Sequence, residues 1–373
     1  MRSVVLLMLL LAWAVPLSAA LPLELYLSAD PVAAQAWPVM PPQPQPQGLR
    51  PCCAFGYDLH TELAGLPVPF YQLDNVVTVS DLGHHQYNDR MFAGLLDLAG
   101  LGSEGNGIVY TARGGFIDTA HVRDTADMTV YLFSQLLPRL GLPFTLTLDN
   151  ELAERRLVFN AFTPPTQPAE RYTLAAWLAA HLAFQVAEWH EIAQWYGFQS
   201  VPGFSEEISA FSPEDLYSNL LGARLAVSLI LNGQTLSLRI YDAAMDTALV
   251  QALALLDVQP DSVTRFHFDM LDGRWWSSQR RVPEKYLVLR RNYNMGDNRL
   301  PTAVPGEQTP PLCLALPRRW QGLDLNALAQ LQLWPGEAMA RLPLPARYYT
   351  QHNFPTLAAF ARQQDRIVQA SLR

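Results

Sequence analysis

Two stretches of this chain carry imidazole and carboxylate at helical spacing. One is Gly114 to Asp124, with Asp118, His121 and Asp124; the other is Glu188 to Glu191, with His190 beside Glu191. These donors hold divalent ions such as Zn²⁺, and they also move protons near neutral pH. Asp118 and His121 stand three apart, so on a helix they share a face; the acid either binds a metal beside the ring or orients the ring from behind. His190 and Glu191 diverge by about 100° and flank a centre rather than both pointing at it. A zinc-protease helix reads His-Glu-x-x-His, and Gln194 stands where the second histidine would be. Further ligands must come from other segments. The assembly expected is a nitrogen–oxygen site for Zn²⁺ or another divalent ion, built from Asp118, His121, His190 and Glu207. Glu191 would be its catalytic base, acting on a metal-bound water. That is hydrolytic chemistry, suited to a peptide, amide or ester. Asp215, Asn219 and Asp124 are secondary candidates. Asp215 and Asn219 are four apart, and Gly222 and Ala226 continue their stripe, which fits close helix packing around one buried polar pair. The rival reading is a non-enzymatic binding or structural protein in which the same groups are buried and hydrogen-bonded.

The elements that would position these residues are mostly helices. One is expected from about Phe116 to Leu137, closed by Pro138 and Gly141. The clearest runs from Thr173 to Tyr196, alanine-rich and closed by Gly197. Ser212-Pro213-Glu214-Asp215 marks a helix start, with a hydroxyl, a proline and carboxylates near the positive end; that helix runs to about Leu231. Others are expected over Asp89–Leu98, Asp242–Leu256 and Phe354–Ser371. Strand-like runs occur at Val76–Val79 and Ile108–Thr111, and a hairpin is expected from Phe144–Leu148 and Arg156–Phe162 around Asp149-Asn150. The pattern is α+β and mainly helical: a helix-rich single domain over residues 51–373 with small β-hairpin elements.

Half of the 373 residues are hydrophobic and only 16% are charged, as in a well-packed globular chain. A net charge of −8 provides no general attraction to nucleic acid. Residues 1–20 have the pattern of a signal peptide: Arg2, an apolar run from Val4 to Leu17, then Ser18-Ala19-Ala20. No cysteine follows to make a lipoprotein anchor, so the expectation is a periplasmic or secreted protein acting on a cell-envelope substrate. Residues 21–50 are rich in proline and glutamine and read as an extended linker. The three cysteines, Cys52, Cys53 and Cys313, leave the pairing open. A second constellation, Cys53 with His84 or His85, would suit a cysteine-type cell-wall hydrolase. From Arg274 to Arg299, basic residues alternate with Trp275, Trp276, Tyr286 and Tyr293. This segment is either a contact for an anionic glycan or lipid, or internal charge balance.

Four segments together, Cys52–Gly56, Gly107–Asp127, Trp189–Gly197 and Ser205–Asn219, resemble an uncharacterised family of bacterial secreted proteins, domain of unknown function 4056. The resemblance covers most of the chain after Pro51. It implies one envelope domain and transfers no activity.

Overall fold

The computed structural model describes residues 23–46, 50, 54–63, 66–88, 104–200, 205–336, 339, 342–343 and 347–371. The leader, Cys52, Cys53 and the stretch expected to be helical at 89–98 lie outside the described residues.

Strands β1 (Leu59–Leu63) and β2 (Leu66–Leu73) pair antiparallel. Helix α1 (Thr119–Leu136) grows directly out of a short hairpin, β3 (Ile108–Thr111) and β4 (Gly115–Asp118). The helix therefore starts three residues later than its apolar pattern suggests, because Phe116 and Ile117 pair with Tyr110 and Val109. Gly115 makes the reversal possible at φ +66°, a region that costs little without a Cβ. Helix α2 (Pro168–Trp195) is buried on every side from Tyr172 onward. Its alanines, leucines and tryptophans leave no polar stripe, the pattern of a helix enclosed by others. It begins five residues before Thr173, with Pro168 at its first turn. Helix α3 (Asp215–Leu231) begins and ends where its signals place it, and it too is buried throughout. Helices α4 (Leu238–Leu255), α5 (Asp261–Leu271) and α6 (Phe354–Ser371) also occur among the described residues, with a four-residue helical turn at Leu325–Leu328.

α1, α2 and α3 pack on one another and form the main core. The stripe Asp215, Asn219, Gly222, Ala226 is the contact between α3 and α1. A Cβ on Gly222 would stand 2.0 Å from the carbonyl oxygen of Val122 in α1. No backbone pair tolerates that approach, so Gly222→Ala is expected to separate the helices and lower stability by about 3 kcal/mol. A urea midpoint unchanged from wild type would refute this.

A three-stranded antiparallel sheet covers one flank of α2, in the order β7-β6-β5: β5 (Phe144–Glu151), β6 (Ala153–Phe159) and β7 (Ala329–Pro335). The expected hairpin is present, but its turn falls at Leu152, φ +55°, rather than at Asp149-Asn150. A second, aromatic core packs Phe55, Phe116, Phe268, Trp275 and Trp276 beneath α5. No strand spans Val76–Val79; Val76 makes a single bridge to Ile108 and a 3₁₀ turn follows.

Among its described residues the proline-rich stretch has neither helix nor strand, as its prolines dictate. It is not a free spacer, however. Leu27, Ala33 and Met40 are buried in the main core. Its backbone N–H groups at Tyr26, Ala33 and Gln43 donate to Ser228, Thr173 and Ser134 on the three core helices. Arg224 of α3 donates to the carbonyls of Tyr26 and Ala29 and pairs with Asp30. Small hydroxyls on buried helices satisfy an extended strap that cannot pair with itself. No helix among the described residues is long and apolar enough to cross a membrane.

Candidate metal centre

The junction of β4, α1 and α3 concentrates the acids. Asp118 caps α1, its Oδ1 accepting from the backbone N–H of Ala120 at 2.8 Å and of His121 at 3.4 Å. One turn on, His121 faces α3, with its Nε2 3.5 Å from Asp215 Oδ1. Asn219 holds the ring from the other side, its Nδ2 3.2 Å from Nδ1 and 2.9 Å from Thr125 Oγ1. An amide nitrogen is a donor, so it meets the Nδ1 lone pair and leaves the ring proton on Nε2, toward Asp215. Asp118, His121 and Asp215 each present one ligand atom, all within 4.8 Å of one another and all buried. Ligands about 2 Å from a common ion stand at such separations, and the mixture of imidazole and carboxylate suits Zn²⁺ or a similar divalent ion.

The surroundings sharpen this. Glu191 of α2 and Glu214 at the start of α3 are buried beside the cluster. Burial, reinforced by the neighbouring Asp215, pushes the Glu191 carboxyl up to about 8. Burial, then Asp118, pushes Asp215 well above the carboxylate range, and Glu214 is raised by burial and Asp215. Like charges at close range in a dry site cannot all ionise. Neither oxygen of Glu214 has a hydrogen-bond partner. Glu191 Oε2 accepts from Phe211 N at 2.6 Å, and its Oε1 has no hydrogen-bond partner.

The remaining expected residues lie around this centre in different roles. His190 points to the β5–β6 turn, its Nδ1 bonded to Glu151, which Arg155 also holds at 2.6 Å. Burial pulls the His190 ring down, but Glu151 outweighs it and carries it up to about 9. A protonated imidazole is not a ligand until it loses its proton; His190 sits next to Glu191 as a cation. Glu207 lies 3.5 Å from Lys285, which also faces Asp365. Gln194 donates to Glu206. The structure thus joins Asp118 and His121 to Asp215, with Asn219 and Glu191 in contact, and places His190 and Glu207 in ion pairs of their own.

Asp124 belongs to a separate assembly. Arg50 donates to Glu104, Asp124 and Asp127 together, with Nε 2.5 Å from Glu104, and to the Gln86 carbonyl. His85 is fully buried between Asp127 and Glu104, and Tyr241 donates to Asp127. Arg123 donates to the carbonyls of Gly105 and Leu82 and to Asn106. His84 is exposed and pairs with Asp246. Cys53 lies outside the described residues, and the exposed Cys313 thiol donates to Asn298.

In the Arg274–Arg299 segment, Trp275 and Trp276 are buried in the aromatic core. Arg291 is spent on the carbonyls of Ala210, Ile208 and Lys285. Tyr286 and Tyr293 donate to Asp365, which also takes the Trp195 indole N–H. Arg280 pairs with Glu284, and Arg290 stacks on Trp275.

Fold and site together define a mainly helical α+β protein with a buried Asp–His–Asp group able to hold a metal ion. The family model described as "Protein of unknown function (DUF4056)" matches residues 40–305, more than half of the chain, and the chain belongs to that family. No curated protein and no solved structure matches it. The match begins inside the proline-rich stretch, in keeping with the packing of that stretch on the helices.

Proposed function

We propose that this protein is an exported metal-dependent hydrolase of the cell envelope, with a divalent ion held by Asp118, His121 and Asp215. The observation that carries the reading is the convergence of those three ligand atoms among buried acids whose mutual repulsion a bound cation would relieve without protonation. Such an ion lowers the pKa of bound water toward neutrality. Nε2, which faces Asp215, would be the coordinating atom; the neutral ring would then carry its proton on Nδ1, with the Asn219 side-chain oxygen turned to accept it. Glu191 lies against Asp215, with one oxygen free of hydrogen bonds, and is the group best placed to take a proton from water. His190, a cation next in sequence, favours its ionised form. Export rests on the N-terminal pattern. Mass spectrometry of protein recovered from a bacterial envelope should give a chain beginning at Leu21, whereas an intact Met1 would remove this part.

The test is metal analysis followed by turnover. Protein dialysed against Zn²⁺ or Mn²⁺ and desalted should retain one ion per chain. The loaded protein should hydrolyse members of a panel of nitrophenyl esters and peptide anilides. Glu191→Gln keeps the oxygen that accepts from Phe211 N, so it should stay folded and retain the ion while losing about 100-fold or more in kcat. Failure to retain metal would return the cluster to the structural reading. The Glu191–Phe211 bond favours that reading, because it makes Glu191 a brace for the loop entering α3. An active Glu191→Gln would leave the metal but remove the base.

A further inference from the structure

Between α2 and α3 the chain makes a tight turn over residues 206–211. Ser209 N donates to the Glu206 carbonyl at 3.2 Å, and Ser212 N donates to the Ser209 carbonyl at 3.0 Å. Phe211 ends the turn at φ +58°. That left-handed region costs glycine little and disfavours any bulky side chain. Phe211 is nonetheless fully buried, with its ring against Tyr293 at 5.0 Å between centroids. Its neighbours hold the backbone in place from the far side. Asn292 N donates to the Phe211 carbonyl at 2.7 Å. Arg291 donates to the carbonyls of Ala210 and Ile208, and Thr302 Oγ1 donates to that of Pro213 at 2.6 Å.

A strained residue that its surroundings over-determine points to a local role. Here two successive backbone N–H groups meet two buried acids. Phe211 N donates to Glu191 Oε2 at 2.6 Å, and Ser212 N also donates to Asp215 Oδ2 at 3.1 Å. Each carboxylate is therefore pinned through one oxygen. The other oxygen of each, Glu191 Oε1 and Asp215 Oδ1, has no hydrogen-bond partner. Asp215 Oδ1 is the atom that lies 3.5 Å from His121 Nε2. A backbone donor on one oxygen orients a carboxylate so that the second oxygen is presented in a fixed direction. With an ordinary negative φ at 211 the chain would leave the turn in another direction, and the two N–H groups would no longer meet these acids. We propose that Phe211 is a positioning residue of the metal centre: its left-handed backbone fixes Glu191 and Asp215 by one oxygen each, and so reserves Asp215 Oδ1 as a ligand and Glu191 Oε1 as the base.

This role rests on the metal reading above, and the experiment separates the two. Zn²⁺ is titrated calorimetrically into full-length, metal-free wild type, Phe211→Leu and Phe211→Ile. The two variants are isomers and both lose the ring that packs on Tyr293. They differ at Cβ, where the branch of isoleucine is poorly accommodated at positive φ. Phe211→Leu should bind Zn²⁺ within about threefold of wild type, and Phe211→Ile about tenfold or more weakly than Phe211→Leu. A side chain that only fills space would move both variants together. Wild type that binds no Zn²⁺ overturns the metal reading and this role with it. Wild type that binds, with the two variants equal to each other, overturns the role alone. Should Phe211→Ile not fold, amide exchange in wild type decides. The Phe211 and Ser212 N–H groups should exchange no faster with Zn²⁺ bound than without it, because the ion uses the other oxygens. Exchange accelerated about tenfold or more by Zn²⁺ would mean that the ion displaces these bonds, and would overturn the role.

Discussion

Asp215→Asn is expected to move two measurements in opposite directions: divalent-ion affinity falls by about 100-fold or more, while the metal-free protein becomes more stable. The first effect follows from losing one of the two carboxylates in a three-ligand site with no spare imidazole. The second follows from burial. Asp118, Glu191, Glu214 and Asp215 are all almost completely enclosed, and three of them are pushed above the ordinary carboxylate range by burial and by one another. An isosteric amide removes one potential charge yet keeps the oxygen that accepts from Ser212 N at 3.1 Å. The sign of the pH dependence is fixed by the direction of these shifts. An acid whose folded pKa is raised stabilises the fold fully below its unfolded pKa, near 4, and that stability is lost as pH rises through the folded value. Metal-free wild type should therefore weaken between about pH 4 and 8, the upper bound being the Glu191 carboxyl at about 8, by an amount on the order of a few kcal/mol. The slope should be shallower in Asp215→Asn, and saturating Zn²⁺ should flatten it in wild type, because the ion binds the ionised form. His121→Ala provides the contrast: it loses the ion but also leaves a hole, so its metal-free form should be less stable. An Asp215→Asn protein destabilised by as much as a broken ion pair would mean that Asp215 is structural.

Much of this site is visible in the sequence because its parts are local. Asp118 and His121 are three apart, and the chain between them turns helical under Asp118's own cap. Asp215 sits in a run, Ser-Pro-Glu-Asp, that begins a helix wherever it lands. The small stripe through Asn219, Gly222 and Ala226 indicates that a neighbour comes close but not which one. The Val122 carbonyl identifies α1, and that contact carries His121 to Asp215. His190 and Glu207 illustrate the limit. Their types suit a ligand set, but their partners, Glu151 and Lys285, arrive from a strand turn and a distant loop that no local spacing announces. The same holds for β7: its alternating Gln330, Leu331, Gln332, Leu333 is strand-like, yet its pairing with β6, some 170 positions earlier, depends on the whole fold. Helix α2 begins before its apolar run does because Pro168 is pre-set for a first helical turn, which is laid down by residues 168–171 while they are still partly exposed.

Arg50→Ala should be the most destabilising single substitution in the described residues, and nothing in the surrounding sequence suggests it. Arg50 is alone in a stretch whose prolines and glutamines read as solvent-exposed, but its side chain is 2% exposed and meets three carboxylates. Burial opposes its charge, and Asp127 and Glu104 outweigh that, holding its pKa well above the ordinary value. The same guanidinium, with His85, draws Glu104 and Asp127 below the ordinary carboxylate range against their own burial. Removing it leaves those acids enclosed, with His85 and the phenol of Tyr241 as their close donors. Breaking a buried pair from one side costs about 3–5 kcal/mol, and here one cation serves three acids. Arg50→Lys should recover only part of the loss, since a single ammonium cannot reproduce the fork that reaches Glu104, Asp124, Asp127 and the Gln86 carbonyl at once. The acid limb provides an independent check. Glu104 and Asp127 have depressed folded values, so their stabilisation is present above their unfolded pKa and is lost as pH falls through the folded one. Wild type should hold this hub through the carboxylate range and lose it only below, whereas Arg50→Ala should show no such acid-dependent loss from this pair and should unfold at a much lower urea concentration at pH 7. An unfolding free energy for Arg50→Ala within about 0.5 kcal/mol of wild type, the scatter expected of a surface change, would mean that the proline-rich strap is not fastened through this residue.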